Sequence, residues 1–171
     1  MRLPRLLLAL ALLSGCSKSA PDASRHVDAA NGFSIELPKG WTVKPPPPGG
    51  RIVLTAVPAE TLSQISVHFE TVPAGTTVED YIKSMYVARG ARAALTLIES
   101  EKESLDGRPA MRTVASITLK SGAVARKLDH VQIEGERLIL VSGMAGNADF
   151  DELLPVMEKS CRSFRLEKRA P

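Results

Sequence analysis

Apolar and polar residues change their rhythm several times along this chain, and the changes mark its elements. Phe33, Ile35 and Leu37 alternate with Ser34 and Glu36, the period-two pattern of a half-buried strand; Pro38-Lys39-Gly40 ends it with turn residues, and Trp41 and Val43 resume the alternation. Residues 45–50 are four prolines and two glycines, which lack the successive N–H donors a ladder needs and predict a stiff loop. Residues 51–57 and 63–69 read as two further strands joined by a short, hairpin-like connection around Glu60. In the second, Ile65, Val67 and Phe69 share one face and Ser66, His68 and Glu70 the other. At Thr77 the period lengthens. Thr77 with Asp80 resembles a capping box, and Val78, Tyr81, Ile82, Met85 and Ala88 form a stripe that predicts a helix to about Gly90 or Ala94.

Strand-like residues return over 96–103, and Leu105-Asp106-Gly107-Arg108-Pro109 reads as a turn. Met111, Thr113, Ala115, Ile117 and Leu119 alternate again, and residues 124–133 and 137–143, divided by Glu134-Gly135, complete an antiparallel meander. Leu138-Ile139-Leu140-Val141 is apolar on both faces, which predicts a central strand covered by helices on each side. Gly143-Met144-Ala145-Gly146 reads as a tight strand-to-helix connection and Asn147 as a cap. The closing helix buries Phe150, Leu153, Leu154, Met157 and Cys161, with Pro155 interrupting or restarting it. The expected core contains Phe33, Ile35, Leu37, Trp41, Ile65, Val67, Ile82, Leu138, Leu140 and Phe164. The whole is a small α+β domain over residues 32–168, large enough for one core.

The first fifteen residues break the pattern. Arg2 and Arg5 precede an unbroken apolar run over residues 6–13, and Ser14-Gly15-Cys16 follows at once. The run is far short of the roughly 20 residues that span a bilayer, so it reads as an export signal rather than an anchor helix. Leu13-Ser14-Gly15-Cys16 resembles the lipobox of bacterial lipoproteins. That resemblance implies removal of residues 1–15 and attachment of a palmitate-type diacylglycerol to Cys16; plain secretion with an incidental cysteine is the alternative. Ser17 is not the aspartate of an inner-membrane retention signal, which favours the outer membrane, facing the periplasm. Residues 16–31, rich in Ser, Ala, Asp and Lys, read as the lipidated cysteine and a flexible tether.

Loss of the signal changes the charge balance. The 22 basic and 19 acidic residues become 20 and 19 once Arg2 and Arg5 leave, a net of +1. A protein so balanced has no global field to gather nucleic acid, and the basic tail of Arg162, Arg165, Lys168 and Arg169 is broken by Glu167. With Cys16 lipidated only Cys161 remains, so no internal disulfide forms and packing alone holds the fold; Cys161 reads as a small hydrophobe on the last helix. A monomer is expected.

The search for chemistry is mostly exclusion. His26, His68 and His130 lack any zinc-ligand spacing, although His68 and His130, joined by Glu70 or Asp129, could meet across a sheet. There is no Gly-x-Ser-x-Gly elbow and no phosphate loop, and the pairs Glu101/Glu103 and Glu134/Glu136 share strand faces without evidence of a cleft. No catalytic residue, cofactor or metal site is assigned.

The string Phe33-Ser34-Ile35-Glu36-Leu37-Pro38-Lys39-Gly40-Trp41, the Thr77-started helix, the Gly107-Arg108-Pro109-Ala110 turn and the ending Cys161-Arg162-Ser163-Phe164 resemble the PsbP-like superfamily. In character the chain is nearest to its bacterial DcrB-like lipoproteins. The resemblance implies a central antiparallel sheet sandwiched by helices, α/β/α, serving as an accessory or binding scaffold. The expected function is therefore a non-catalytic envelope lipoprotein that binds another envelope protein. A small-molecule carrier is the alternative, with a hydrolase of dispersed site residues behind it.

Overall fold

The rhythm of the sequence maps onto ten strands and two helices in the computed structural model, which describes residues 24–59, 61–93 and 95–167. In chain order they are β1 (Ser24–Asp28), β2 (Phe33–Leu37), β3 (Thr42–Lys44), β4 (Ile52–Val57), β5 (Gln64–Thr71), α1 (Val78–Ala93), β6 (Leu95–Leu105), β7 (Arg108–Thr118), β8 (Val124–Glu134), β9 (Arg137–Gly146), α2 (Phe150–Arg162) and β10 (Arg165–Leu166). Seven strands form one antiparallel sheet in the order β3-β4-β5-β9-β8-β7-β6, and β1-β2-β10 form a second, smaller one. The fold is α+β with antiparallel sheets. The strand that is apolar on both faces, β9, is the middle one of seven, where both faces need cover.

Alternate residues of β8 and β9 meet different partners. Val131, Leu138 and Leu140 pack with Ile82, Tyr81 and Tyr86 of α1. Leu128, Ile139 and Val141 pack instead with Phe150, Met157 and Cys161 of α2 and with Phe33 and Ile35 of the small sheet. One face thus carries α1; the other is shared by α2 and the small sheet. Phe33 fixes that second layer, meeting Phe69 of the large sheet edge-on at 5.6 Å and stacking on Phe164 at 5.7 Å.

Local chemistry explains the element ends. The Asp80 amide donates to the Thr77 hydroxyl at 3.1 Å, and that hydroxyl donates to the Asp80 carboxylate at 2.7 Å, which caps α1. Asp106 and Gly107, both with positive φ (52° and 74°), make the two-residue turn from β6 to β7.

Several expectations need correction. Residues 16–23 lie outside the described residues, and the flexible tether expected over residues 16–31 does not hold for residues 24–28, because β1 pairs with β2 from Ser24↔Leu37 to Asp28↔Phe33. Its stripe is too polar to show in hydropathy; the backbone ladder holds it, helped by Arg25, which donates to Ser34 at 2.6 Å and lies 3.6 Å from Glu36. Trp41 is half-buried at the margin of the core rather than within it, since β3 is a three-residue edge strand with every side chain exposed. Residues 143–146 belong to β9, not to a connection. A Cβ on Gly143 would lie 2.8 Å from the Met157 side chain, so this glycine lets α2 lie close against the sheet. Asp149, not Asn147, stands at the start of α2, and α2 runs unbroken through Pro155, whose absent N–H costs one bond to the Asp151 carbonyl.

Candidate functional site

Two polar constellations and a groove between the two sheets stand out among the described residues. On the α1 face a row of polar residues crosses the central strands in register, Ser66↔Ser142↔Asp129↔Thr113. Ser142 donates to Asp129 at 2.5 Å, Lys127 lies 2.9 Å from the same carboxylate, Ser66 is 3.0 Å from His68 Nε2, and the Tyr86 hydroxyl reaches Thr113 at 3.3 Å. Burial and the nearby Lys127 push His68 down to about 4, while burial pushes the Tyr86 phenol up to about 12. The row holds serine, histidine and aspartate, but Ser66, Asp129 and Ser142 are at most 2% exposed, Ser66 bonded to His68 and Ser142 to Asp129, so these three side chains are closed off from solvent.

On the α2 face Arg112 grips Glu99 at 3.0 Å, Glu158 at 3.1 Å and Glu101 at 3.5 Å. Burial opposes its charge, and those carboxylates outweigh burial to hold the guanidinium more firmly protonated than usual. Beside it the fully buried His130 contacts Glu103 through Nδ1, and Arg162 lies 3.2 Å from Glu103. His130 Nε2 has no partner within the protein. Neither do both amide atoms of Gln132, which is also fully buried and stands two residues further along the same face of β8. Cys161 is buried nearby, and burial drives its thiol pKa well up, so it packs as the small hydrophobe expected.

His68 and His130 do not meet. They occupy opposite faces of the sheet, because His68 shares a face with Ser66 and Leu140 while His130 points with Leu128 toward α2. Glu101 binds Arg112, whereas Glu103 binds His130 and Arg162, and Glu134 lies in an open groove with Glu136. Among the described residues no group of three histidine, cysteine or carboxylate side chains is placed to hold a metal ion. Cys16 lies outside the described residues.

The groove, of about 720 Å³, opens where the small sheet leaves the end of the large one. Phe69, Arg108, Glu134 and Arg137 line it from the large sheet, and Gly32, Leu166 and Glu167 from the small one. Arg137 lies 3.7 Å over the Phe69 ring and donates to the Asn31 carbonyl at 2.9 Å, tying the two layers together. Arg108 is neutralised by Asp106 at 2.6 Å and Glu134 at 3.4 Å. Glu70 lines the groove too and pairs at 2.5 Å with Arg51. The turns at Asp106-Gly107 and Gly135 were readable as turns. What hid the groove is β10, a two-residue strand that brings residues 166–167 beside Phe33 from 133 positions away.

This arrangement, a central antiparallel sheet with a helix against each face and a small second sheet, defines a class of scaffold rather than a reaction. The sequence pattern of the PsbP family matches residues 21–166, and the chain belongs to that family. No curated protein matches the sequence. Among solved structures it is similar to the cyanobacterial PsbP, CyanoP, of Synechocystis sp. PCC 6803, at 17% identity and a TM-score of 0.66, covering 90% of this chain and 98% of that one. It is also similar to LpqN, described as involved in cell envelope biogenesis of Mycobacterium tuberculosis, at 9% identity and a TM-score of 0.61 over 88% of each chain. A protein of Bacteroides thetaiotaomicron matches 84% of this chain with 48% of its own length, at 9% identity and a TM-score of 0.57. At such identities the likeness is one of fold. No described helix is long and apolar enough to cross a membrane.

Proposed function

We propose that this chain is a non-catalytic accessory protein of the bacterial cell envelope, anchored by lipid on Cys16 to the outer membrane facing the periplasm, and that it binds a partner protein at the groove between its two sheets. The observation that carries the reading is the contrast between its polar groups. Ser66, Ser142 and Asp129, the serines and aspartate that could do chemistry, are buried inside the fold with His68 half-buried beside them, while the open groove is charged, partly aromatic and built from both layers. Its fold family and its likeness to an envelope-biogenesis protein support the setting. The signal pattern at residues 1–16 supports the anchor.

The test is crosslinking in native envelopes followed by mass spectrometry, comparing wild type, Cys16→Ser and Arg137→Ala. Loss of one reproducible partner in both variants is the expected result, together with a diacylglyceryl group on Cys16 in the mature wild-type protein. A partner set unchanged by Arg137→Ala removes the groove from the reading. A mature terminus other than a modified Cys16 removes the anchor.

A further inference from the structure

We infer that the groove takes a cationic guest, a lysine- or arginine-bearing segment of the partner protein; this rests on the groove reading above and gives it a chemistry. The argument begins with Gln132. It is fully buried, and neither its amide oxygen nor its amide nitrogen has a partner within the protein. Such a side chain destabilises the fold that holds it, because its desolvation is not repaid by hydrogen bonds. An apolar residue of the same size would serve the core better. A group that weakens the free protein is explained when a ligand completes it.

Its position says where that ligand would come from. Gln132 stands opposite Ala110 and Ile139, one step inward on the same face of the sheet from Glu134 and Arg137, which line the groove. The even positions of β8 thus form a seam, His130, Gln132, Glu134, that runs from the core out to the open groove. The seam is rich in acceptors. Glu134 is a carboxylate shared with Arg108, and Gln132 offers its oxygen. The groove is lined by four carboxylates, Glu70, Glu134, Glu136 and Glu167, against two arginines. Arg51 matches Glu70, Arg108 is shared by Glu134 and Asp106, and Arg137 is engaged by the Phe69 ring and the Asn31 carbonyl. The surplus acceptors are Glu136 and Glu167, the latter also accepting from Ser34. Surplus acceptors with engaged cations favour a guest that brings positive charge and hydrogen-bond donors. A lysine or arginine side chain has both, on a stem long enough to lie along the Phe69–Leu166 flank of the groove while its head reaches inward.

The experiment measures fluorescence anisotropy with the full mature chain in detergent and a labelled ten-residue peptide of alternating lysine, arginine and glycine. Two counterparts carry glutamate, or citrulline and norleucine, at the cationic positions. The basic peptide is expected to bind, with affinity falling as salt rises, and the other two are not. Glu134→Gln with Glu136→Gln should weaken it about tenfold. Gln132→Met should weaken it about fivefold while raising the melting temperature, a pairing that a purely structural role for Gln132 does not produce. Equal binding of the neutral or acidic peptide, no binding of the basic one, or indifference to both variants overturns the inference. If envelope crosslinking still depends on Arg137 in that case, the groove remains a binding site for another chemistry. If that dependence is also missing, the groove reading has fallen with it.

Discussion

Single residues of this fold differ most in how completely the second layer covers them. Phe33 is fully buried between Phe69 and Phe164, so Phe33→Ala removes the ring that joins the two sheets and should cost about 3–5 kcal/mol. Trp41, which the sequence places in the core, lies half-exposed beside an edge strand, and Trp41→Ala should cost about half as much. Urea denaturation of both variants checks the ordering, and a larger loss for Trp41 would mean that the ring is buried in solution. Cys161 gives an independent reading of the same packing. Fully buried and with its thiol ionisation suppressed, it should react with a thiol reagent only as fast as the protein opens, and stoichiometric labelling within seconds of mixing would show an open α2.

At the scale of elements, Gly143 decides how α2 docks. A methyl there would stand 2.8 Å from the Met157 Cβ and 2.9 Å from its sulfur, so Gly143→Ala must push the helix outward. A loss of about 1–3 kcal/mol in thermal unfolding is expected, and Gly143→Ala with Met157→Ala should recover only part of it, because alanine removes the sulfur and Cγ contacts but keeps the Cβ at position 157. The same site shows why some elements were legible and others were not. Strands β2, β5, β7, β8 and β9 announce themselves because one or both faces are buried and the apolar period follows. Strand β1 is mostly exposed, held by its ladder to β2 and by Arg25, and hydropathy carries no trace of either. Gly143 looks like a turn residue in sequence because the need for close helix approach is not local. The groove was invisible for the same reason, since it depends on β10 crossing to β2, a contact between residues 133 apart.

For the molecule as a whole, the buried polar row on the α1 face sets how stability responds to acid. Burial, with Lys127 close by, holds His68 near 4 against an ordinary value of 6.5, and the other groups facing it, Asp129 and Glu70, offset this only in part. Below pH 6.5 the unfolded chain therefore takes up a proton that the folded chain refuses until about pH 4, so stability falls as pH drops through that window and levels off beneath it. Glu158 adds a second, lower limb. Burial works against its charge, but Arg112 and Arg162 prevail and hold it below the ordinary 4.5, so its stabilisation is present above that value and is lost as the pH falls further. The two limbs come apart in a variant. His68→Gln cannot take a proton and its amide can still meet Ser66, so its urea midpoint should stay nearly level from pH 6.5 to about 5 while the wild type declines. Both should then fall together at lower pH through Glu158. Parallel curves across the upper window would show that His68 takes up its proton as readily in the folded protein as in the unfolded chain, and that the row of Ser66, Ser142, Asp129 and Thr113 is open to water.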